Sequence, residues 1–403
     1  MNYGLIIKGY KFSGISCGIK KNNKLDLGLI YLEKEGQCVA SFTKNLLKSN
    51  SIIVSQKHLN KTKNIKCILA NSGCANTACG KDGLKITEEI CKNLAKKLNI
   101  KKEEVIVAST GVIGKPLPKK KIINNLNNLV SSLYSKDSAI LKFAKSIMTT
   151  DKKPKVVIKK INLKKIKGTI LCIAKGAGMI APQLELYKPS ATMLVFLLTD
   201  IKLAKNLMER IMRNVVIPNF NSFSIDGDTS PNDTIFFVSN NAISEELSKK
   251  DIDIIEKSIE EVCKEIILKL LFDGEGVTKV VKLVIKNLKN KDAEIVARTV
   301  SNSLLVKTAI YGADPNWGRI LSAILRSGIK LNPKRIDIWI DKFKVVENGE
   351  RKFFNEKKIR RVMLKNFYEI KIDVKKTKSK KPFIFYTTDL SKKYVDINSK
   401  YMT

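Results

Sequence analysis

The run MLVFLL at residues 193–198 constrains this chain more than any other feature, because six consecutive apolar residues follow directly on a polar, Pro-interrupted stretch at 178–191. An apolar run this short, bounded by turn residues, reads as a buried strand entered from a loop. The chain upstream supplies neighbours for it. DLGLIYLE and GQCVASFT read as two short strands separated by turn residues, IKCILANSG as a strand ending in a Gly-rich turn, and EEVIVAST as a strand stopping at Thr110-Gly111. Residues 82–100 predict an amphipathic helix with Ile86, Ile90, Leu94 and Leu98 on one face, residues 121–148 are mostly helical in pattern, and VVIKKINLKKIKGTILCIAKG alternates like a hairpin.

Downstream, residues 201–213 and 244–271 predict helices, NSFSIDGDTSPNDTIFFVSN a loop and strand, 277–285 a strand and 292–305 a helix. GADPNWGRILSAIL starts a helix after an Asp-Pro-Asn turn, RIDIWI and FIFYTTD close as strands, and the tail YVDINSKYMT carries Tyr394, Val395 and Ile397 at strand-like positions. Strand groups alternating with helix pairs indicate an α+β fold, a layered helix/sheet sandwich.

No apolar stretch is long enough to cross a bilayer, and the start MNYGLIIKG lacks the form of a secretory signal, so a cytoplasmic protein without a membrane partner is expected. The net charge of +37 points first toward nucleic acid, but the lysines are spread through segments such as KPLPKKK and KKTKSKKP with no interleaved aromatic groove. A solvated Lys surface with no nucleic-acid partner is the expectation. Eight cysteines without a CxxC pair read as reduced thiols on apolar faces, and no metal site is expected. The chain has one histidine, His58, so a nucleophile elsewhere needs a base other than imidazole.

Three polar turns stand at the ends of apolar strands. At Thr110-Gly111 a hydroxyl beside a glycine reads either as a helix-capping turn or as a pair of donors to an oxyanion. Lys175, before Gly176-Ala177-Gly178, reads either as a solvated lysine or as an anchor for a substrate carboxylate. Thr192 reads either as a strand start or as a nucleophile. Cleavage of the Ala191-Thr192 bond would supply a base on the nucleophile's own residue, an α-amine of pKa about 7.7–8.0.

Taken together and in order, KGYKFSGISCGIKK, NSGCANTACG, STGVIG, MTTDKKPK, AKGAGMIAP, ATML, DGDTSPNDT, DGEGVTK, LVKTAIYGADPNWGRI and YVDINSKYMT resemble the glutamate N-acetyltransferase, or ornithine acetyltransferase, family of arginine biosynthesis across essentially the whole chain. The resemblance implies the fold of that family and self-cleavage into an α chain, 1–191, and a β chain, 192–403, assembled as α2β2. It implies Thr192 as nucleophile for cleavage and for acetyl transfer, Thr110 and Gly111 as oxyanion stabilisers, and Thr149, Lys175, Thr192, Glu275, Asn398 and Thr403 as substrate contacts. The implied reaction moves acetyl from N2-acetylornithine to glutamate by a ping-pong route. No bound cofactor is implied, and acetyl-CoA is the further donor that would make the enzyme bifunctional. A self-processing amidase or aminopeptidase using the same nucleophile is the alternative, and a Lys-rich binding protein without activity the alternative outside enzymes. The chain departs from the family pattern at Cys74, commonly Asn, and in the eight residues QLELYKPS between Pro182 and Ala191, where about two are usual.

Overall fold

The computed structural model describes residues 4–186, 193–379 and 381–400. The expectations placed on Ala191, Thr192 and Thr403 lie outside the described residues. The first half of the chain runs β1 (Tyr10–Ile15), β2 (Leu27–Phe42), α1 (Asn50–Lys61), β3 (Ile65–Cys74), α2 (Gly80–Leu98), β4 (Val105–Val112), α3 (Lys119–Ser131), α4 (Asp137–Ser146), β5 (Lys155–Asn162), β6 (Lys167–Lys175) and β7 (Glu185–Leu186). It continues through β8 (Leu194–Ile201), α5 (Lys205–Ile211), a π-helical turn (Met212–Val216), α6 (Ile217–Phe220), β9 (Thr234–Ile243) and α7 (Lys249–Phe272).

These strands form one sheet in the order β4-β3-β2-β9-β8-β6-β5, with β1 and β7 also paired to β2. The pairs β3·β4 and β8·β9 are parallel and the others antiparallel. The apolar run at 193–198 lies inside this sheet and is covered on both faces. Leu194, Phe196 and Leu198 pack with Tyr10, Phe12 and Phe143 on one side, and Val195 and Leu197 with Ile259, Val262 and Ile266 of α7 on the other. Double cover is why the strand needs no polar alternation. Each such side chain removed from water contributes about 1.5–3 kcal/mol.

The rest of the chain builds a second sheet from β10 (Val280–Lys286), β11 (Asp337–Ile340), β12 (Phe343–Glu347), β13 (Glu350–Arg351), β14 (Phe367–Asp373) and β15 (Phe383–Thr388), ordered β13-β12-β11-β14-β10-β15. Its core is shared with α8 (Asn290–Ser301), α9 (Leu304–Gly312), α10 (Trp317–Leu325) and α11 (Glu356–Met363), and the chain ends on α12 (Lys392–Asn398). The loop before β9 docks on β15 through the Ser224 N–H to the Tyr386 carbonyl (3.0 Å) and the Tyr386 N–H to the Ser222 carbonyl (2.8 Å). That contact brings the chain's end to the first sheet. The layered α+β architecture is as expected from the sequence.

Local differences have identifiable causes. DLGLIYLE and GQCVASFT are one 16-residue strand, β2, not two. Glu33, Lys34 and Glu35 are exposed where β2 exchanges β3 for β9 as its partner, with a register shift between Tyr31 and Gly36. Turn-type residues here build an irregularity inside a strand. Gly36 permits the crossing, since a Cβ there would stand 2.4 Å from the Ser239 carbonyl oxygen. The 201–213 segment finishes β8 before turning helical at Lys205. The tail is a helix instead of a strand: the Ser391 hydroxyl accepts the Tyr394 N–H at 3.2 Å and starts α12.

Candidate active site

The end of β4, the end of β6 and the loop before β9 meet around a cleft of about 300 Å³, the lower end of the range for small-ligand pockets. Thr110, Gly111, Thr149, Lys175, Glu275 and Asn398 all line it. One side chain ties its walls together. Asn232 donates through Nδ2 to the carbonyls of Ala75 (2.5 Å) and Ser109 (2.8 Å) and accepts from the Thr77 hydroxyl at 2.8 Å. The DGDTSPNDT loop is thereby fastened to β4 just before Thr110.

Lys175 is not a solvated lysine. It ends β6 with 3% of its surface exposed, and its ammonium donates to Thr149 Oγ1 at 2.9 Å and Thr110 Oγ1 at 3.3 Å. Burial lowers its pKa, and the nearby Asp151 carboxylate acts in the opposite sense. Asp151 Oδ2 stands 3.9 Å from the Lys175 ammonium, and Asp151 Oδ1 is 2.5 Å from that of Lys155, which also meets Asp273 at 2.5 Å. Two cations and two anions thus form a compensated buried group. Burial alone would raise the Asp151 pKa, but Lys175, Lys155 and the Thr149 N–H outweigh it and hold the carboxyl well below the usual range. Asp151 also accepts the N–H groups of Thr149 (2.9 Å) and Gly176 (2.8 Å), fixing the backbone on either side of the lysine.

Thr110 lies within β4, and α3 begins later, after Pro118, with no side-chain cap. The capping alternative is therefore wrong for this turn. Gly111 has φ +126°, and an added Cβ would meet Gly73 C at 2.5 Å and Cys74 N at 2.6 Å. Only glycine lets β4 lie this close to β3 at the cleft wall. The Thr110 hydroxyl accepts from Lys175 and keeps its own proton to donate.

Opposite Lys175 stands Glu275, 7% exposed. Its N–H is held by the Ala177 carbonyl at 2.8 Å, and its Oε2 accepts from Asn398 Nδ2 at 2.9 Å. The last helix therefore reaches the cleft through this amide and through Tyr394. Gly178 makes room for the carboxylate, since a Cβ there would come within 2.3 Å of Oε2. A buried cation faces a carboxylate across the cleft, an arrangement complementary to a molecule carrying one charge of each sign.

The residues that support this site carry no signal of their own in the sequence. Asp151 and Asp273 lie in the quoted MTTDKKPK and DGEGVTK neighbourhoods and Asn232 in DGDTSPNDT, yet nothing in their spacing shows that they converge. Tyr394, Asp228, Ser230 and Met179 also line the cleft. Thr150 lines it beside Thr149, but the bond to Lys175 is made by Thr149. His58 is far from the cleft chemistry: it is buried on α1, its Nδ1 2.7 Å from the Val105 carbonyl.

The sequence profile of the ArgJ family matches residues 11–403. The chain belongs to the ArgJ family. ArgJ proteins are acyltransferases of arginine biosynthesis, and the chain is an enzyme of that class. It is 35% identical over 405 residues to the arginine biosynthesis bifunctional protein ArgJ of Thermotoga neapolitana, covering 98% of this chain and 99% of that one. It is 36% identical over 408 residues to the glutamate N-acetyltransferase of Methanocaldococcus jannaschii, covering 98% and 97%. A crystal structure of ornithine acetyltransferase complexed with ornithine, from Mycobacterium tuberculosis, is 29% identical with a TM-score of 0.40, covering 44% of this chain and 94% of that one. No helix among the described residues is long and apolar enough to cross a membrane.

Within the ArgJ frame the QLELYKPS segment has a defined beginning. Glu185 and Leu186 pair with Phe42 and Ser41 at the end of β2, and the Leu184 N–H donates to Asn221 Oδ1 at 2.5 Å while its carbonyl accepts from Asn221 Nδ2 at 3.0 Å. The additional chain is thus anchored to the sheet on the near side of the expected cleavage point. The remainder, 187–192, lies outside the described residues.

Proposed function

We propose that this chain cleaves itself between Ala191 and Thr192 and then moves acetyl from N2-acetylornithine to glutamate through an acetyl-Thr192 intermediate. The observation carrying this reading is the cleft itself: Lys175 and Glu275 both line it, and Lys175 is in register with Leu194, the first residue of β8, two residues after Thr192. N2-acetylornithine offers a carboxylate and a side-chain ammonium at its two ends. Lys175 takes the carboxylate by a charge-assisted bond, and Glu275, steadied by Asn398, takes the ammonium.

The hydroxyl of Thr192 is too weak a nucleophile alone, and the α-amine released by cleavage is its base. The Oγ–H proton passes to that amine as oxygen attacks the acetyl carbonyl. Donors at Thr110 and Gly111 receive the oxyanion, the C–N bond breaks, and ornithine leaves with the proton. Glutamate then enters the vacated cleft with its α-carboxylate in the place of the first on Lys175; its neutral α-amine attacks the acetyl ester and gives a proton to the Thr192 amine, and as the Oγ–C bond breaks that proton passes to the Thr192 oxygen, freeing the hydroxyl and N-acetylglutamate. Placement of His58 on a distant helix agrees with a base that is not imidazole. An α2β2 assembly of the cleaved chains and a contact from Thr403 belong to the same proposal.

Intact mass and N-terminal sequencing of the purified protein, with Thr192→Ala beside it, test the cleavage. A chain beginning at Thr192 in the wild type and absent from the variant is expected. A wild type that stays whole and inactive overturns the proposal. Acetyl transfer from N2-acetylornithine to glutamate is then followed directly, with acetyl-CoA as a second donor arm. Hydrolysis of N2-acetylornithine with no acetylglutamate formed would replace the transferase by an amidase.

A further inference from the structure

Asp233 is a buried carboxylate beside the site that, among the described residues, is left without partners, unlike Asp151 and Asp273. It is completely shielded from solvent, and among the described residues neither of its oxygens has a hydrogen-bond partner. Elsewhere in this fold buried acids are well supplied. Asp26 accepts three N–H groups, and Asp389 accepts the N–H groups of Thr278 and Lys279 and the Thr278 hydroxyl. An ionised carboxylate held out of water without donors costs several kcal/mol, so the unpaired group rests neutral and ionises only when a cationic donor reaches it.

The location identifies the donor. Asp233 directly precedes β9, whose first N–H, from Thr234, bonds the Met193 carbonyl at 2.8 Å. Leu194 is in register with Thr234 in the parallel β8·β9 pair, which sets Met193 beside Asp233. The residue one peptide bond upstream of Met193 is Thr192. Self-cleavage would create one new cation on the chain, the α-ammonium of Thr192, with three N–H donors. That cation would sit on the residue bonded directly to Met193, which lies beside this fully buried and, among the described residues, donor-free carboxylate.

Resting on the reading of Thr192 as an N-terminal nucleophile, we propose that Asp233 is the positioning carboxylate that orients the Thr192 α-amine in the cleaved enzyme. Asp233 acts through the amine and not on substrate. By accepting one amine N–H it turns the nitrogen lone pair toward the Thr192 hydroxyl. When the Oγ–H proton moves to nitrogen and the Oγ–C bond forms, the ammonium is stabilised by the carboxylate. When the C–N bond to ornithine breaks, the ammonium returns that proton to the leaving nitrogen, and Asp233 carries no proton in either step. The division of work matches that of an aspartate behind a catalytic imidazole, with an α-amine in the imidazole's place.

Charge in the surroundings fits this role. The charged group acting on Asp233 is Lys175 at the end of β6, behind which stand Asp151, Lys155 of β5 and Glu275 after α7. Burial pushes the unpartnered Asp233 carboxyl well up, with Lys175 opposing. An adjacent ammonium removes the reason for that shift and in return raises the amine's own pKa.

The test compares wild type with Asp233→Asn, which keeps the shape and removes the charge. Since the amine exists only after cleavage, Asp233→Asn is expected to cut itself into two chains. Its kcat for acetyl transfer falls on the order of 10³-fold with KM for N2-acetylornithine within about threefold. The acidic limb of its kcat profile, where the amine becomes protonated, moves to lower pH by about one unit or more. A merely structural role leaves that limb in place. An unmoved limb with kcat near wild type overturns the assignment, as does a folded Asp233→Asn that remains whole, because the carboxylate then acts before the amine exists. Asp233→Ser carries the same measurements if Asp233→Asn precipitates. A wild type that neither cuts nor transfers acetyl defeats the proposed function, whereas one that does both beside an Asp233→Asn with the same pH limb defeats only the Asp233 assignment.

Discussion

Asp151→Asn is the sharpest probe of how the cleft is held. In the native chain Asp151 and Asp273 compensate Lys155 and Lys175, and Asp151 itself has no exposed side-chain surface. Neutralising it leaves two buried ammoniums with one carboxylate. It also puts an amide where both carboxylate oxygens accept N–H groups, from Thr149 at 2.9 Å and Gly176 at 2.8 Å, so one of those donors meets an NH₂. Breaking one partner of a buried ion pair costs about 3–5 kcal/mol. With an unfolding entropy near 2.1 cal/mol/K per residue, a chain of this size is expected to lose roughly 4–6 °C in Tm. The pH sign follows from the depressed Asp151 pKa. The stabilisation is fully present above the unfolded carboxylate pKa of about 3.9 and is lost only as pH falls through the lower folded value. The difference between wild type and variant should therefore be constant from pH 5 to 8 by differential scanning calorimetry. Adding Lys155→Met to Asp151→Asn restores one cation to one anion, so the double variant should recover part of the loss, a coupling read directly from the cycle. A single variant as stable as wild type, or a double variant that only adds the two losses, would refute the compensated network.

Lys175→Met removes the cation proposed to hold the substrate carboxylate; at about 1.5–3 kcal/mol for a charge-assisted bond, kcat/KM should fall roughly 10- to 150-fold, measured by steady-state acetyl transfer. Gly178→Ala places a Cβ within 2.3 Å of Glu275 Oε2, so the carboxylate must swing away; KM for N2-acetylornithine should rise about tenfold or more by steady-state kinetics, with Tm little changed because the moving group is a side-chain end. His58 is the only histidine, so its imidazole signals are unambiguous by NMR, and burial should make it titrate below the ordinary value. With its folded pKa depressed, its contribution is present above the unfolded pKa of about 6.5 and is lost as pH falls toward the folded value; His58→Gln should flatten that part of the stability curve.

The residues to look at were legible through the family resemblance of the motifs taken together, since each turn alone left two readings open. Thr110 and Gly111 stand at a strand end, Lys175 before a glycine turn and Glu275 after a long helix, and each is where its segment's pattern puts it. Two of the misreadings share a cause. The Glu33–Gly36 stretch has the residue types of a turn, yet both halves of β2 find sheet partners and the strand continues through. The tail has β-branched and aromatic residues, yet a Ser391 cap and a close approach at Gly276 draw it into a helix. In both places neighbours distant in sequence supply the deciding contacts, and local propensity is too weak to resist them.

By itself the sequence determined the layered α+β class, because apolar periodicity and turn chemistry are local properties, and it determined membership of the ArgJ family through motifs spread over the full chain. It also excluded multi-histidine chemistry by containing one histidine. Tertiary structure alone decided which charges meet. Lys175 is one lysine in a chain of net charge +37, and nothing in its spacing distinguishes it from those on the surface. Its burial between Thr110, Thr149 and Asp151, like the lack of donors to Asp233 among the described residues, arises where strands far apart in sequence end side by side. Burial there raises electrostatic interactions from weak surface pairs to the strong ones that a site requires.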